Sequence, residues 1–187
     1  LAAKEIGIVV APTNHGKSHL LIQFGAEALL REKTVFHFTM EMPEEYVALR
    51  YDSYITKINC SDLEENKDIV RGEIEELKAN GVLGKLIIKE YPSGVPTVGT
   101  LRSFIEKMAY KNLKPDVIIV DYAALVRSTE KHEHTRIELQ LIIRELRALA
   151  KEMGCPIWTA LQSNKDGTKT GVVDETNLAE SYAQAAE

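Results

Sequence analysis

Apolar positions along this chain alternate between two periods. Short runs rich in β-branched residues, at 6–11, 34–39, 85–90, 117–121 and 156–161, read as strands. Between them the apolar residues move to helical spacing, so the expected class is α/β: a mostly parallel central sheet flanked by helices. One helix is predicted to start at Gly16-Lys17-Ser18, with Leu20, Leu21, Phe24 and Ala28 on its apolar face. Two more are predicted between the second and third strands. The first opens at Pro43, a favoured first-turn residue, with Glu44 and Glu45 well placed for the helix dipole. The second opens on Ser61-Asp62-Leu63-Glu64, a capping box, and ends near Asn80-Gly81. Leu139, Ile142, Ile143, Leu146, Leu149, Ala150 and Met153 form the core-facing stripe of a late helix. Tyr91-Pro92-Ser93-Gly94-Val95-Pro96 reads as a short loop, and neither an internal repeat nor a low-complexity tract interrupts the pattern.

Composition narrows this picture modestly. With 187 residues the chain suits one well-buried domain, 1–187. Its 23 basic against 28 acidic residues, net −5, argue against a protein coated in nucleic acid but leave room for a local basic loop. Cys60 and Cys155 are far apart and form no paired motif, so they read as packed thiols of a reducing compartment. No stretch approaches the ~18 uninterrupted apolar residues of a membrane span, so no membrane partner is expected. A start on Leu1, an end on Ala-Ala-Glu and the lack of a secretory leader suggest a piece excised from a longer chain.

The first strand carries the chemistry. Ile6-Gly7-Ile8-Val9-Val10-Ala11 runs into Pro12-Thr13-Asn14-His15-Gly16-Lys17-Ser18-His19, close to the pattern G-x-x-x-x-G-K-[ST] with Ala11 in place of the first glycine. Backbone N–H groups of such a turn, and of the helix start behind it, converge on a polyphosphate. Lys17 is expected to reach the β- and γ-phosphates of ATP, and the Ser18 hydroxyl to take a position on Mg²⁺. Asp121, ending the fourth apolar run, stands where open α/β sheets bind ligands and is the expected acidic partner of that Mg²⁺. Glu41, in Phe38-Thr39-Met40-Glu41-Met42, is a candidate general base for an attacking water, or simply a first-turn glutamate favoured by the helix dipole. Gln162 could donate to a γ-phosphate and register its loss, or be polar surface. After it, Lys165, Asp166, Gly167, Lys169 and Gly171 form a polar, locally basic stretch suited to a phosphate backbone. Residues 127–136 include His132 and His134, which without further His or Cys read as a solvated loop rather than a zinc site.

In order and over essentially the whole chain, these pieces resemble the RecA-like motor domain of hexameric replicative helicases of the DnaB family, especially its phage branch. Phe38-Thr39-Met40-Glu41-Met42 is similar to the family's Phe-Ser-Leu-Glu-Met motif, whose glutamate is the catalytic base. Arg50 matches an arginine two turns into the next helix. Val120-Asp121-Tyr122 resembles the family's Ile-Asp-Tyr Walker B. Ala160 to Lys165 resembles Leu-Ser-Gln-Leu-Asn-Arg, placing Gln162 on the γ-phosphate sensor. Leu178-Ala179-Glu180-Ser181 is similar to the Arg-Glu-Ser-Gly segment near which the family binds single-stranded DNA, with Ala179 in place of the arginine. The resemblance implies a RecA-like P-loop NTPase fold and an ATP hydrolase with Glu41, Lys17 and Gln162 in catalysis. It also implies DNA contacts at Lys165, Lys169, Glu180 and Ser181. Single-stranded DNA, a homo-hexameric assembly, a primase and a helicase loader are the implied partners, in the cytoplasm of a bacterial or phage-infected cell. The rival readings are a related RecA-fold ATPase, recombinase or clock-type regulator, and a non-motor nucleotide switch.

An arginine supplied by a neighbouring subunit can be worth about 10³–10⁵ in rate in such motors, and the family's finger has no counterpart in these 187 residues. On their own they are expected to bind nucleotide weakly, hydrolyse it very slowly and form no stable ring. Light scattering with an ATPase assay checks this, and a stable hexamer with DNA-stimulated turnover would contradict it.

Overall fold

The structure, a computed structural model, describes residues 1–128 and 135–162. Ten elements alternate along it: β1 (Ile6–Ala11), α1 (Lys17–Leu29), β2 (Val35–Thr39), α2 (Glu44–Thr56), α3 (Lys67–Ala79), β3 (Leu86–Glu90), α4 (Val98–Ala109), β4 (Val117–Asp121), α5 (Thr135–Met153) and β5 (Ile157–Gln162). The strands form one sheet in the order β1-β5-β4-β2-β3, and every pairing is parallel. This is the expected architecture, with strand ends displaced by at most one residue. Among the described residues no helix is long and apolar enough to cross a membrane.

Topology decides which helix covers which face. The chain moves in one direction across the sheet from β1 to β2 to β3, then returns through β4 to β5. Right-handed crossovers therefore put helices of the outward leg on one face and those of the return leg on the other. Strand alternation follows suit. Phe36, Phe38, Ile118, Val120 and Ile157 pack with Leu101, Ile105, Leu146 and Leu149 of α4 and α5. Val35, Ile119 and Ala160 face Leu21, Ile22, Ala26 and Leu29 of α1 and Val47 and Tyr51 of α2.

Four local expectations need correction. Cys60 is exposed rather than packed, whereas Cys155 is buried. Ser61 does not cap a helix. Its hydroxyl donates to the carboxylate of Asp62 at 2.7 Å, a 3₁₀ turn forms at Cys60–Asp62, and α3 starts only at Lys67. Ser61 lies inside that 3₁₀ turn, closed by the Asp62 N–H to the Asn59 carbonyl at 2.9 Å, so no helix N-terminus stands behind its hydroxyl to be capped. On α1, Leu20 is exposed, and the buried face is Leu21, Ile22, Gly25, Ala26 and Leu29. The rotation follows from Gly25, where a Cβ would lie 2.1 Å from the Tyr51 hydroxyl and 2.8 Å from Ile119. Pro43 is the N-cap of α2 rather than its first residue. The helix α4, unplaced from the sequence, has the true capping box: the Thr97 hydroxyl accepts from the Thr100 N–H while the Thr100 hydroxyl accepts from the Thr97 N–H, each at 3.2 Å. Threonine takes the place of the usual glutamate.

One polar pair sits deep under α1 and α2. His37 of β2 is fully buried, its Nδ1 3.0 Å from the Tyr51 hydroxyl, and its Nε2 has no partner among the described residues. Burial pushes the imidazole down from 6.5 to about 3. Between those values the folded protein keeps His37 neutral while the unfolded chain takes up a proton, so stability falls as pH falls, by up to about 1.4 kcal/mol per pH unit. Urea melts across that window are expected to show the His37→Phe variant losing stability more shallowly than wild type by one proton. An unchanged slope would place the acid sensitivity elsewhere.

Candidate functional site

Parallel pairing brings the carboxyl ends of the strands to one edge of the sheet. Ala11 at the end of β1 pairs with Gln162 at the end of β5, and Asp121 at the end of β4 pairs with Thr39 at the end of β2. Four neighbouring strands thus deliver their following loops to one rim, and a cleft of about 470 Å³ opens there. Of the expected site residues, Thr13, Asn14, Gly16, Lys17, Ser18, His19, Glu41 and Gln162 line it. Asp121 is fully buried and is not among the lining residues, but stands in electrostatic reach of three that are, Lys17, Glu41 and Arg50. Pro12 acts through its carbonyl, which accepts a 2.9 Å hydrogen bond from Lys17 Nζ. His15 lies outside the lining, exposed, its Nδ1 2.7 Å from the Thr13 carbonyl. Lys165, Lys169, Glu180 and Ser181, like His132 and His134, fall outside the described residues. Among the described residues no cluster of three or more His, Cys, Asp or Glu is arranged to hold a metal.

The loop between β1 and α1 has the shape of an anion cradle. Asn14 and Gly16 both adopt left-handed backbone, φ 60° and 78°, which curls the chain back on itself. A Cβ at Gly16 would meet no protein atom, so conformation rather than crowding selects glycine within this chain. α1 then begins at Lys17 with no side-chain cap and no acid in its first turn. Its leading N–H groups and positive dipole end are left for a ligand. Gln162 Nε2 donates to the Thr13 hydroxyl, tying the end of β5 to this loop.

Glu41 rides the turn from β2 into α2, and the start of α2 is clasped to the end of β3. The Glu44 carboxylate accepts from the Glu90 N–H at 2.8 Å and from Lys89 Nζ at 3.1 Å, while the Glu44 N–H donates to the Glu90 carboxylate at 3.2 Å. The Glu90 N–H, foremost, with Lys89 holds the Glu44 carboxyl below its usual range. First-turn acids therefore serve the fold at Glu44, whereas Glu41 lines the cleft.

The electrostatics are those of a desolvated site. Burial pushes Asp121 up from 3.8 to about 6, with the Glu41 charge adding to the rise and the Ser18 hydroxyl, Arg50 and Lys17 opposing it. Neither Asp121 oxygen meets a partner in full hydrogen-bond geometry among the described residues. Burial also lowers Lys17, against the pull of Glu41 and Asp121, and lowers His19, with Arg50 adding to the effect. Buried carboxylate oxygens without partners, beside a serine hydroxyl, form an all-oxygen donor set that suits a hard cation such as Mg²⁺. Met42, Arg50 and Tyr122 complete the lining. Of these, Arg50 was visible only through the family motif, and Met42 and Tyr122 only as neighbours of the two acids.

Residues 1–172 match the family model of the DnaB-like helicase C terminal domain. The chain is similar to the DnaB-like replicative helicase of Enterobacteria phage T4, 32% identical over 183 residues that cover 94% of this chain and 38% of that protein. The replicative DNA helicase DnaB of Haemophilus influenzae is 27% identical over 172 residues, covering 88% of this chain and 36% of that protein. The chain thus spans little more than a third of the length of these relatives. Among solved structures, a DnaB-like replicative helicase, described with its interactions with primase, matches with a TM-score of 0.80 at 15% identity, covering 96% of this chain and 44% of that one. A second solved structure, described as an ATPase domain, gives 0.80 at 14% identity over 97% of this chain and 66% of that one. The fold is that of these ATPase domains, the RecA fold.

A carboxyl group raised from 3.8 to about 6 weakens the fold as pH rises through that interval, by up to about 3 kcal/mol. Asp121→Asn is therefore expected to stabilise the metal-free protein above pH ~6, by about 1–3 kcal/mol, with the gain vanishing below pH ~4. Denaturant melts in chelator at several pH values measure this, and a variant no more stable than wild type at neutral pH contradicts it.

Proposed function

The chain belongs to the DnaB-like helicase C-terminal domain family, and we propose that it is the ATP-hydrolysing motor of a replicative helicase, moving along single-stranded DNA and unwinding duplex as a homo-hexamer. The observation that carries this reading is the convergence of Lys17, Ser18, Glu41, Gln162 and buried Asp121 at the rim of one parallel sheet.

Each group has a task there. Backbone N–H groups from residues 13–18 bind the polyphosphate of ATP. Lys17 exchanges the Pro12 carbonyl for the β- and γ-phosphate oxygens, a short swing that needs no refolding. Ser18 and Asp121 are the residues that hold Mg²⁺, which supplies charge neutralisation along the phosphates. Glu41 accepts a proton from the water that attacks the γ-phosphorus, while Lys17 and Arg50 offset part of the negative charge gathered around Asp121. Gln162, bonded to Thr13 across the cleft, senses whether the terminal phosphate is present and carries that state to the residues after β5. Those residues, with Lys165, Lys169, Glu180 and Ser181, are the proposed DNA contacts. A primase and a loader are the proposed protein partners, and interactions with primase are described for one structural relative.

Glu41→Gln keeps size and hydrogen bonding while removing the base. In the longest natural form of the protein, turnover is expected to fall on the order of 10²–10⁴-fold with nucleotide binding retained, and wild-type turnover is expected to rise with single-stranded DNA. Steady-state ATPase with and without DNA, alongside binding of a fluorescent ATP analogue, measures both. Undiminished hydrolysis in Glu41→Gln moves the base elsewhere, and turnover indifferent to DNA favours a nucleotide switch over a motor.

A further inference from the structure

Two threonines, Thr39 at the end of β2 and Thr159 within β5, are fully buried and lie outside the lining of the cleft. Each uses its hydroxyl both ways across a sharp turn. Thr39 Oγ1 donates to the Met42 carbonyl at 2.7 Å and accepts from the Met42 N–H at 3.2 Å. Thr159 Oγ1 donates to the Val120 carbonyl at 2.8 Å and accepts from the Ala123 N–H at 3.0 Å. The residues spanned are Met40 and Glu41 in the first case, Asp121 and Tyr122 in the second. A direct backbone bond, Met40 N–H to the Asp121 carbonyl at 3.0 Å, joins the two turns.

We propose that Thr39 and Thr159 are positioning residues, each setting one acidic group of the site: Thr39 the carboxylate of Glu41, Thr159 that of Asp121. A turn of three or four residues leaves backbone groups that no helix or strand pairs, and a hydroxyl is the smallest side chain able to donate and accept at once. With both groups taken, the turn has one conformation. A misplacement of about 1 Å at the reacting centre is worth on the order of 10² in rate, and outer partners of metal ligands are worth about 10–100-fold in affinity or activity. The proposal rests on the reading of Glu41 as base and Asp121 as the Mg²⁺ residue.

Valine copies the shape of threonine without the hydroxyl. In the longest natural form of the protein, Thr39→Val is expected to lower kcat about 10–100-fold with KM and the Mg²⁺ requirement unchanged. Thr159→Val is expected to raise, by about tenfold, the Mg²⁺ concentration at which a fluorescent ADP analogue binds half-maximally, a readout independent of turnover. Thr39→Ser and Thr159→Ser are expected to behave as wild type. Thr39→Val/Glu41→Gln is expected to be no slower than Glu41→Gln alone, since the threonine acts only through the glutamate. Each variant is assayed below its own melting midpoint, and where a valine variant does not fold, cysteine replaces it as a side chain of similar size and weak donor strength. Active Glu41→Gln overturns the base reading itself. With Glu41→Gln inactive, the positioning proposal is overturned by a fully active Thr39→Val, by losses that multiply in the double variant, or by both valine variants showing the same defect. It is also overturned by serine variants as impaired as their valine or cysteine counterparts.

Discussion

The site depends on parallel register. A parallel sheet ends all its strands in the same direction: Ala11 and Gln162 end β1 and β5 together, Asp121 and Thr39 end β4 and β2 together, and the pairing of Val120 with Thr159 sets the second pair two residues below the first. Groups from opposite ends of the described chain then share one cleft. A slip of one residue in β4 would turn Asp121 from the α1 face to the α4–α5 face and remove it from Ser18. What prevents the slip is the pair of apolar layers. Phe36 and Phe38 are buried against Phe104 of α4 on one side, and Val35 and Ile119 against α1 and α2 on the other.

That register exacts a cost at the site. Asp121 is held in a desolvated position with neither oxygen meeting a partner in full hydrogen-bond geometry among the described residues, at the positive start of α1 and beside Lys17 and Arg50. Such a carboxylate weakens the apo fold and is suited to a cation that replaces its missing partners. Around it four contacts hold the frame: a helix brought close by Gly25, a buried histidine on a tyrosine hydroxyl, a clasp between Glu44 and Glu90, and two threonines that close the acidic turns. A destabilised group in a rigid frame is a common arrangement in sites that act on charge.

Local features were legible where the signal was local. The five apolar runs, the glycine-lysine-serine turn and the stripe of α5 depend only on residues within a few positions of one another, and the strands lie within one residue of where they are read. The expectation at Ser61 failed because the chain makes a 3₁₀ turn at Cys60–Asp62 and begins α3 only at Lys67, leaving no helix start for Ser61 to cap. α4 escaped because its box is built from Thr97 and Thr100, a pairing too common in loops to mark a helix. Glu44 and Glu45 read correctly as first-turn acids, yet the same rule could not separate them from Glu41, whose place in the cleft comes from the turn's path.

The amino-acid sequence by itself determined the α/β class, the glycine-lysine-serine turn between β1 and α1 and which acids end their strands, because strand period, helix period and turn chemistry are short-range properties. The motif order was also enough to show the family. Only the tertiary structure decided the order β1-β5-β4-β2-β3, the rotation of α1 onto Gly25, the burial of Asp121, the arrival of Arg50 and Tyr122 in the cleft, and the work of Thr39 and Thr159. Each of these is a distance between residues far apart in the chain. Such distances are set by which strands pair and how closely helices pack on them, and no spacing along the sequence encodes either.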